Sequence, residues 1–443
     1  MNPRLRPNVL SLAGPRTLRE PFLIRLMRAL RRAGGVLRLW SDLRRGAPPT
    51  GAISGAVVPE AFERLLASLE SPDRPLPLTR FERAGEEEAR VVGLMARRAA
   101  LTVIENFCQV RKTDPAASAM RDQHAKPHGV LGARFVVLDD IPSKLAKGVF
   151  RPGQAYDAVV RFSNANGVRQ SDRKGDGRGM AIKILNAPGP SLLAEREPDA
   201  AEPRGRHSQD FLLTSFPVFF CENVDDYSKF LEILAAPRRT WIAKLEFGLR
   251  FAAFFLAGRL RQAWIFWRTA AQQVSSPLTA TYHSMTPYLL GDDVVVRYVA
   301  IPRPAARDPA RAGAGDNFLQ AALAAELTPA EEAGERMAVF DFAVQVRESA
   351  TPEDVEDASR YWRRPDDAVV RLARVEIPSQ AFLAAKQTIA GENMSFSPWH
   401  CLKEHRPLGG LNRMRLAVYR ASLCARHRLN TIPADQTRRA LLD

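Results

Sequence analysis

Cysteine is scarce in this chain: Cys108, Cys221, Cys401 and Cys424 stand far apart among 443 residues, with no CxxC pair. That spacing excludes a disulfide framework and a cysteine zinc site, and leaves buried thiols as the expectation. Long uncharged apolar runs are also missing. The most apolar stretch, Phe247 to Trp267, is interrupted by Arg250, Arg259 and Arg261 and falls short of a bilayer span. It reads as a core helix, with a surface meeting lipid or an apolar substrate as the alternative. No apolar segment followed by a small-residue cleavage site opens the chain, so the cytoplasm is the expected location. No repeat of fixed period occurs.

Acidic residues are few at the N-terminal end, and this decides how the net charge of +15 is read. Residues 1–45 hold eleven arginines against Glu20 and Asp42, a local excess of +9, whereas the remaining chain is only mildly basic. A phosphate-binding surface would need cations spread over a folded face, so no nucleic-acid partner is expected. Phe22, Leu23, Leu26, Leu30, Leu37 and Trp40 alternate with the arginines at roughly helical spacing. Two readings stand for residues 20–45: a basic amphipathic helix lying on a membrane surface, or a solvated helix packed on the domain.

The composition, 46% apolar and 26% charged, is that of an ordinary globular protein. Helical patterning covers Pro59–Leu69 and Glu86–Phe107; Ala133–Leu138, Ala158–Phe162, Val294–Ile301 and Met337–Arg347 read as strands. Helix starts are expected at Thr351-Pro352-Glu353-Asp354 and near Thr328-Pro329-Ala330-Glu331. Stretches around Gly46–Gly55, Ser71–Pro77 and Arg303–Gly315 read as loops. Helices first, strands in the middle and helices again at the end favour an α+β fold over a βαβ repeat.

Three motifs invite chemistry when taken alone. His124 and His128 are four apart, but Pro127 between them opposes the helix a zinc pair would need. Gly175-Asp176-Gly177-Arg178-Gly179 lacks the GxGxxG spacing of a phosphate loop. His400, Cys401 and His405 have no identifiable third group for nucleophilic catalysis.

Read together, however, the segments Arg121-Asp122-Gln123-His124-Ala125-Lys126, Val160-Arg161-Phe162-Ser163, Gly175 to Lys183, Pro217-Val218-Phe219-Phe220, Tyr282 to Tyr288 and Arg415-Leu416-Ala417-Val418-Tyr419 follow the order and approximate spacing of catalases. The resemblance covers roughly residues 100–430. It implies an antiparallel β-barrel with inserted and C-terminal helices around a buried heme b, and a division into a basic N-terminal region (1–95), a catalase-like heme domain (96–432) and a tail (433–443). It implies Tyr419 as the iron ligand, supported by Arg415 four residues earlier on the same helical face. His124 is implied as the distal acid–base residue, with Ser163 orienting its ring. Arg121, Arg161 and Arg426 match positions that pair with heme propionates, Phe219 is expected against the heme, and Asp176 resembles the acid of the channel.

Two positions depart from the pattern. Thr214 stands where catalases place an asparagine amide that orients peroxide, and a hydroxyl is a shorter, less directional donor. Ala165 stands where a valine narrows the channel. The expected activity is cleavage of the O–O bond of hydrogen peroxide or of an organic peroxide. Dehydration or isomerisation of a fatty-acid hydroperoxide, as in catalase-related allene oxide synthases, is the alternative on the same site. A non-catalytic heme carrier is a second alternative.

Overall fold

The computed structural model describes residues 77–193, 207–235, 240–303, 315–328, 336–363, 369–432 and 436. Residues 20–45, the helix expected at 59–69 and the 433–443 tail, apart from Gln436, lie outside these.

The described residues form nine strands: β1 (Pro127–Val137), β2 (Ala155–Asn164), β3 (Arg178–Ala187), β4 (His207–Thr214), β5 (Tyr282–His283), β6 (Tyr288–Leu290), β7 (Val294–Pro302), β8 (Met337–Arg347) and β9 (Val369–Pro378). All pairings are antiparallel. β1 to β5 follow in order, β5 pairs with β7, β7 with β8, β8 with β9, and Arg134–Val137 of β1 pair with Ala373–Glu376 of β9, closing the ring. β6 pairs only with β7 and stands outside the closed barrel.

Alternation along each strand sorts residues between the barrel interior and its outer face. Val160 and Phe162 of β2, Met180 and Ile182 of β3, and Phe211 and Leu213 of β4 enter the interior, where Phe135, Phe150, Tyr298, Phe340 and Phe342 also pack. The residues between them, including Arg161, Ser163, Gly179 and Thr214, therefore face outward, toward the helices. His405 is buried among the interior aromatics. Its Nε2 accepts from the Val149 N–H at 3.0 Å, and its Nδ1 lies 2.9 Å from the Tyr298 hydroxyl.

The helices are α1 (Glu88–Arg111), α2 (Val224–Ala235), α3 (Trp241–Leu256), α4 (Leu260–Ala270), α5 (Phe318–Leu327), α6 (Pro352–Glu356), α7 (Ala385–Asn393) and α8 (Gly410–Leu429). α1 and α8 pack through a seam rich in alanine, Ala96 and Ala100 against Ala421 and Ala425, which brings the two backbones close. Arg413 fastens the first turn of α8 to Glu88 of α1, to Glu82 and to Glu356 of α6 at 2.6, 2.8 and 3.1 Å. α1 thus runs across the expected 95/96 boundary. The Thr351 start holds: Thr351 and Asp354 form a reciprocal capping box on α6.

Thr328 ends α5, its N–H bonding back to Ala324 O at 2.8 Å; the helix expected to start near it falls on residues outside those described. One expectation is corrected. The apolar stretch 247–267 is not one helix: Gly258, at φ +96°, breaks it into α3 and α4. Among the described residues, no helix is long and apolar enough to cross a membrane.

Candidate active site

Ser163 pairs with Gly179 across β2 and β3, Gly179 with Thr214 across β3 and β4, and Thr214 with His283 across β4 and β5. These four residues form one row on the outer face of the barrel. His124, in the left-handed region at φ +57°, arrives from the loop before β1 and lies on this row. Its backbone N–H donates to Ala165 O at 3.2 Å, and Arg161 Nη2 donates to its carbonyl at 2.9 Å. Its Nδ1 lies 3.0 Å from Ser163 Oγ. Only glycine fits beneath the ring, because a Cβ on Gly179 would stand 2.5 Å from His124 Nδ1 and 2.8 Å from Ser163 Oγ.

Burial, and then the charges of Arg161, Arg415 and Arg121, push the His124 imidazolium down to about 3. The ring is therefore neutral at physiological pH and can accept a proton. Ser422 Oγ of α8 donates to Asp122 Oδ1 at 2.6 Å, which brings α8 to the segment that carries His124. On α8, Arg415, Tyr419, Ser422 and Arg426 are spaced by four, three and four residues and share one face. The Arg415 guanidinium lies 5.6 Å from the Tyr419 ring centroid. Burial disfavours its charge, but the Tyr419 and Tyr288 phenols outweigh that and raise its pKa. Arg415 Nη1 also reaches Asn412 Oδ1 at 3.2 Å, fixing the guanidinium. His124, Arg121, Asp122, Arg415 and Tyr419 are each half-buried.

Arg121, Arg161 and Arg426 gather around a single carboxylate, Glu392 of α7, which sequence reasoning missed. Arg121 and Arg161 reach it at 3.1 and 3.4 Å. Burial and mutual repulsion lower the pKa of Arg121 well below the ordinary arginine value, and burial with Arg161 beside it pushes Arg426 down to about 10. Burial opposes the charge of Glu392, yet the three cations outweigh it and lower its pKa. The Nε atoms of Arg161 and Arg426 are buried without a partner. Three guanidiniums about one carboxylate, with donors to spare, fit the two propionates of the heme that the sequence resemblance implies. A tyrosine oxygen with an arginine beside it fits the iron-ligand side of the same group.

The remaining expected residues divide. Phe219 packs on Phe220 and Tyr227 and borders the same buried cluster as Val418, the residue before Tyr419. Ala165 lies in the loop beside His124, with Gly177 against it. Asp176 is close by, but its Oδ2 accepts from Asn166 N–H and Gln170 Nε2, both at 3.2 Å, so it ties the loop together. The Thr214 hydroxyl donates to Phe216 O at 3.3 Å. Asp122, which accepts from Ser422 Oγ at 2.6 Å, and His283 were also missed. Burial, and then Arg297, push His283 down to about 4. His283 had a sequence signal, the imidazole inside the Tyr282 to Tyr288 motif, whereas Glu392 had none.

Outside this site, His400 Nδ1 pairs with Asp210 Oδ2 at 3.1 Å, the third group that the sequence did not reveal. The neighbouring Cys401 thiol is fully buried, its pKa raised chiefly by burial, so the trio ties the segment before α8 to β4 and carries no nucleophile. His128 Nε2 is engaged by Asn164 Oδ1 at 2.9 Å, and no cluster of His, Cys, Asp and Glu among the described residues could hold a metal ion. A separate surface cavity of ≈ 480 Å³, lined by Arg80, Lys144, Lys147, Asp293 and Glu348 among others, shares no residue with the site.

No protein-family model and no curated protein matches this chain. Solved structures do. A fungal catalase superposes with a TM-score of 0.52 at 16% identity, over 84% of this chain and 68% of its own. Catalase A from Saccharomyces cerevisiae gives 0.51 at 14%, over 83% and 71%. A bacterial catalase gives 0.50 at 14%, over 86% and 71%. At such identities the likeness establishes architecture, and the chain has a catalase-like fold: a closed antiparallel barrel with its helices laid against the outer face.

Proposed function

We propose that this chain is a heme-dependent hydroperoxidase, cleaving the O–O bond of a peroxide between the barrel row and α8. The observation that carries the reading is a neutral, hydrogen-bonded imidazole, His124, on the segment that α8, the helix of the Arg415–Tyr419 pair, reaches through Ser422 and Asp122, with Arg121 and Arg161 paired to Glu392 nearby. Tyr419 would hold the iron with the Arg415 guanidinium beside it, and Arg121, Arg161 and Arg426 would hold the propionates. Heme b bound in this way supplies the iron centre at which a peroxide is polarised. The protein's part is proton movement. With Nδ1–H donated to Ser163 Oγ, His124 Nε2 accepts the proton of the nearer peroxide oxygen and returns it to the departing one.

Organic peroxides are favoured over hydrogen peroxide by one further observation. The Thr214 hydroxyl is committed to Phe216 O, so at this position no donor replaces the amide of catalases, and Ala165 is smaller than the valine of their channel. Two measurements test the proposal. Heme-loaded protein is expected to give a ferric Soret band that Tyr419→Phe shifts or abolishes; an unchanged band refutes the ligand assignment. A fatty-acid hydroperoxide is expected to be consumed faster than hydrogen peroxide, with loss of activity in His124→Ala. Faster oxygen release from hydrogen peroxide would instead make the chain a catalase in activity, and turnover of neither would leave it a heme carrier.

A further inference from the structure

α3 carries apolar residues on two opposite faces. Phe247, Phe251 and Phe254 fall on one, where Phe251 and Phe254 pack against Phe230 at 5.9 and 5.7 Å between ring centroids. On the opposite arc Trp241, Ile242, Leu245 and Leu249 are 73, 58, 54 and 52% exposed. Positions 241, 245 and 249, with 242 beside them, make one continuous stripe. A helix apolar on all sides is ordinarily buried, and four large side chains grouped in water form a patch, unlike the scattered single exposures of most surfaces.

The rim of the patch is cationic. Lys244 is exposed beside the stripe, and Glu246, the one acid of α3, is engaged by Arg250 at 2.5 Å. α4 contains no acid and exposes Trp267 and Arg268, and the sequence places Arg238 and Arg239 just before Trp241. A second copy of this chain would set that rim against an identical one, whereas a surface of anionic headgroups complements it. At 16 residues, α3 is too short to span a bilayer, but a tryptophan-bearing apolar stripe flanked by cations suits a helix lying in the interface.

We infer that the first half of α3 docks the molecule on an anionic lipid bilayer. The place in the fold gives this a consequence. The far end of α4 abuts the loop of Ala165 and Asp176: Thr269 Cγ2 would be 3.3 Å from a Cβ on Gly177, and the Asp176 N–H donates to Gln272 O at 3.2 Å. Docking therefore sets the lipid surface on α3, which the break at Gly258 joins to the helix whose far end borders the candidate site. The docking itself does not depend on which peroxide, if any, the site cleaves.

Vesicle flotation of the full chain tests it, using phosphatidylcholine vesicles with and without phosphatidylglycerol. Binding is expected only with the anionic lipid, and Leu245→Asp with Leu249→Asp is expected to weaken it roughly 100-fold, since two large apolar side chains no longer leave water. The thermal midpoint should not move, both leucines being exposed. In the wild type, brominated lipid should quench tryptophan emission, and Trp241→Phe should remove a distinct part of that quenching. Equal binding by the double variant would overturn the inference and assign attachment to the arginine-rich residues 1–45. Absence of binding would also overturn it, as would a concentration-dependent dimer that the leucine substitutions dissociate, which would make a second copy the occupant.

Discussion

The two walls of the candidate site are built by opposite means. The helical wall is local: Arg415, Tyr419, Ser422 and Arg426 share a face of α8 because of the period of the helix alone. The barrel wall is long-range. His124, Ser163, Gly179, Thr214 and His283 come from a loop and four strands, and meet only because the register of three strand pairings is correct. A local wall survives perturbation as long as its helix does, whereas a long-range wall fails with any of its partners.

Acid separates the two walls most strongly. His124 and His405 are pushed down to about 3, and His128 and His283 to about 4, each first by burial, and all four belong to the barrel, its interior or the segments tied to it. Their unfolded values lie near 6.5. Below that pH the unfolded chain takes up protons that the folded chain refuses, so stability falls as pH drops from about 6.5 toward 4. Each such histidine contributes a slope approaching ~1.4 kcal/mol per pH unit. α8 carries one such ring, His427, also lowered by burial, against the four of the barrel side. Chemical denaturation across this range should show the loss, with amide exchange rising in β1 to β5 before α8. A pH-independent midpoint would mean that the four rings are accessible to protons.

Next in size is Gly179→Ala. Its Cβ would enter the space of His124 Nδ1 and Ser163 Oγ, so peroxide turnover should drop by roughly 1,000-fold, the scale of losing a general acid–base. The Tyr419-dependent spectrum should persist, because α8 is not touched. Turnover within about tenfold of wild type would show that the row does not position the base.

Glu392→Gln probes the edge where the walls meet. Removing the carboxylate that Arg121 and Arg161 bind should destabilise the heme-free protein by about 3–5 kcal/mol, the cost of leaving buried charges unpaired. Heme loading should restore more stability in this variant than in wild type, since propionates would supply the missing anions. Equal gains in the two proteins would remove the arginines from propionate binding.

What was legible in the sequence follows the same division. The Arg415–Tyr419 spacing and the Thr351 capping box could be read directly because both are local. The strands could be placed from their apolar patterns, but the row across them could not, since register is set by pairing between distant segments. Glu392 and the Asp210–His400 pair had no signal at all: 231 and 190 residues separate them from their partners Arg161 and Asp210. The stretch 247–267 misled because composition averages over a break at Gly258 and over a helix that is buried at one end and exposed at the other.

The smallest expected effect tests the departure that sets this barrel wall apart. In the row, Thr214 stands between Gly179 and His283, and its hydroxyl proton is committed to Phe216 O. Thr214→Asn would place an amide there, whose two N–H bonds outnumber the single local acceptor. One would remain to meet a peroxide oxygen. Hydrogen peroxide turnover should rise several-fold, the ~1 kcal/mol of one net hydrogen bond, while turnover of a fatty-acid hydroperoxide stays level or falls as the side chain enlarges. A gain of equal size for both substrates would mean that the amide acts on His124 and not on the peroxide. No gain for either would place the peroxide away from this strand end, toward Ala165, and would move the specificity of the site from the row to the loop.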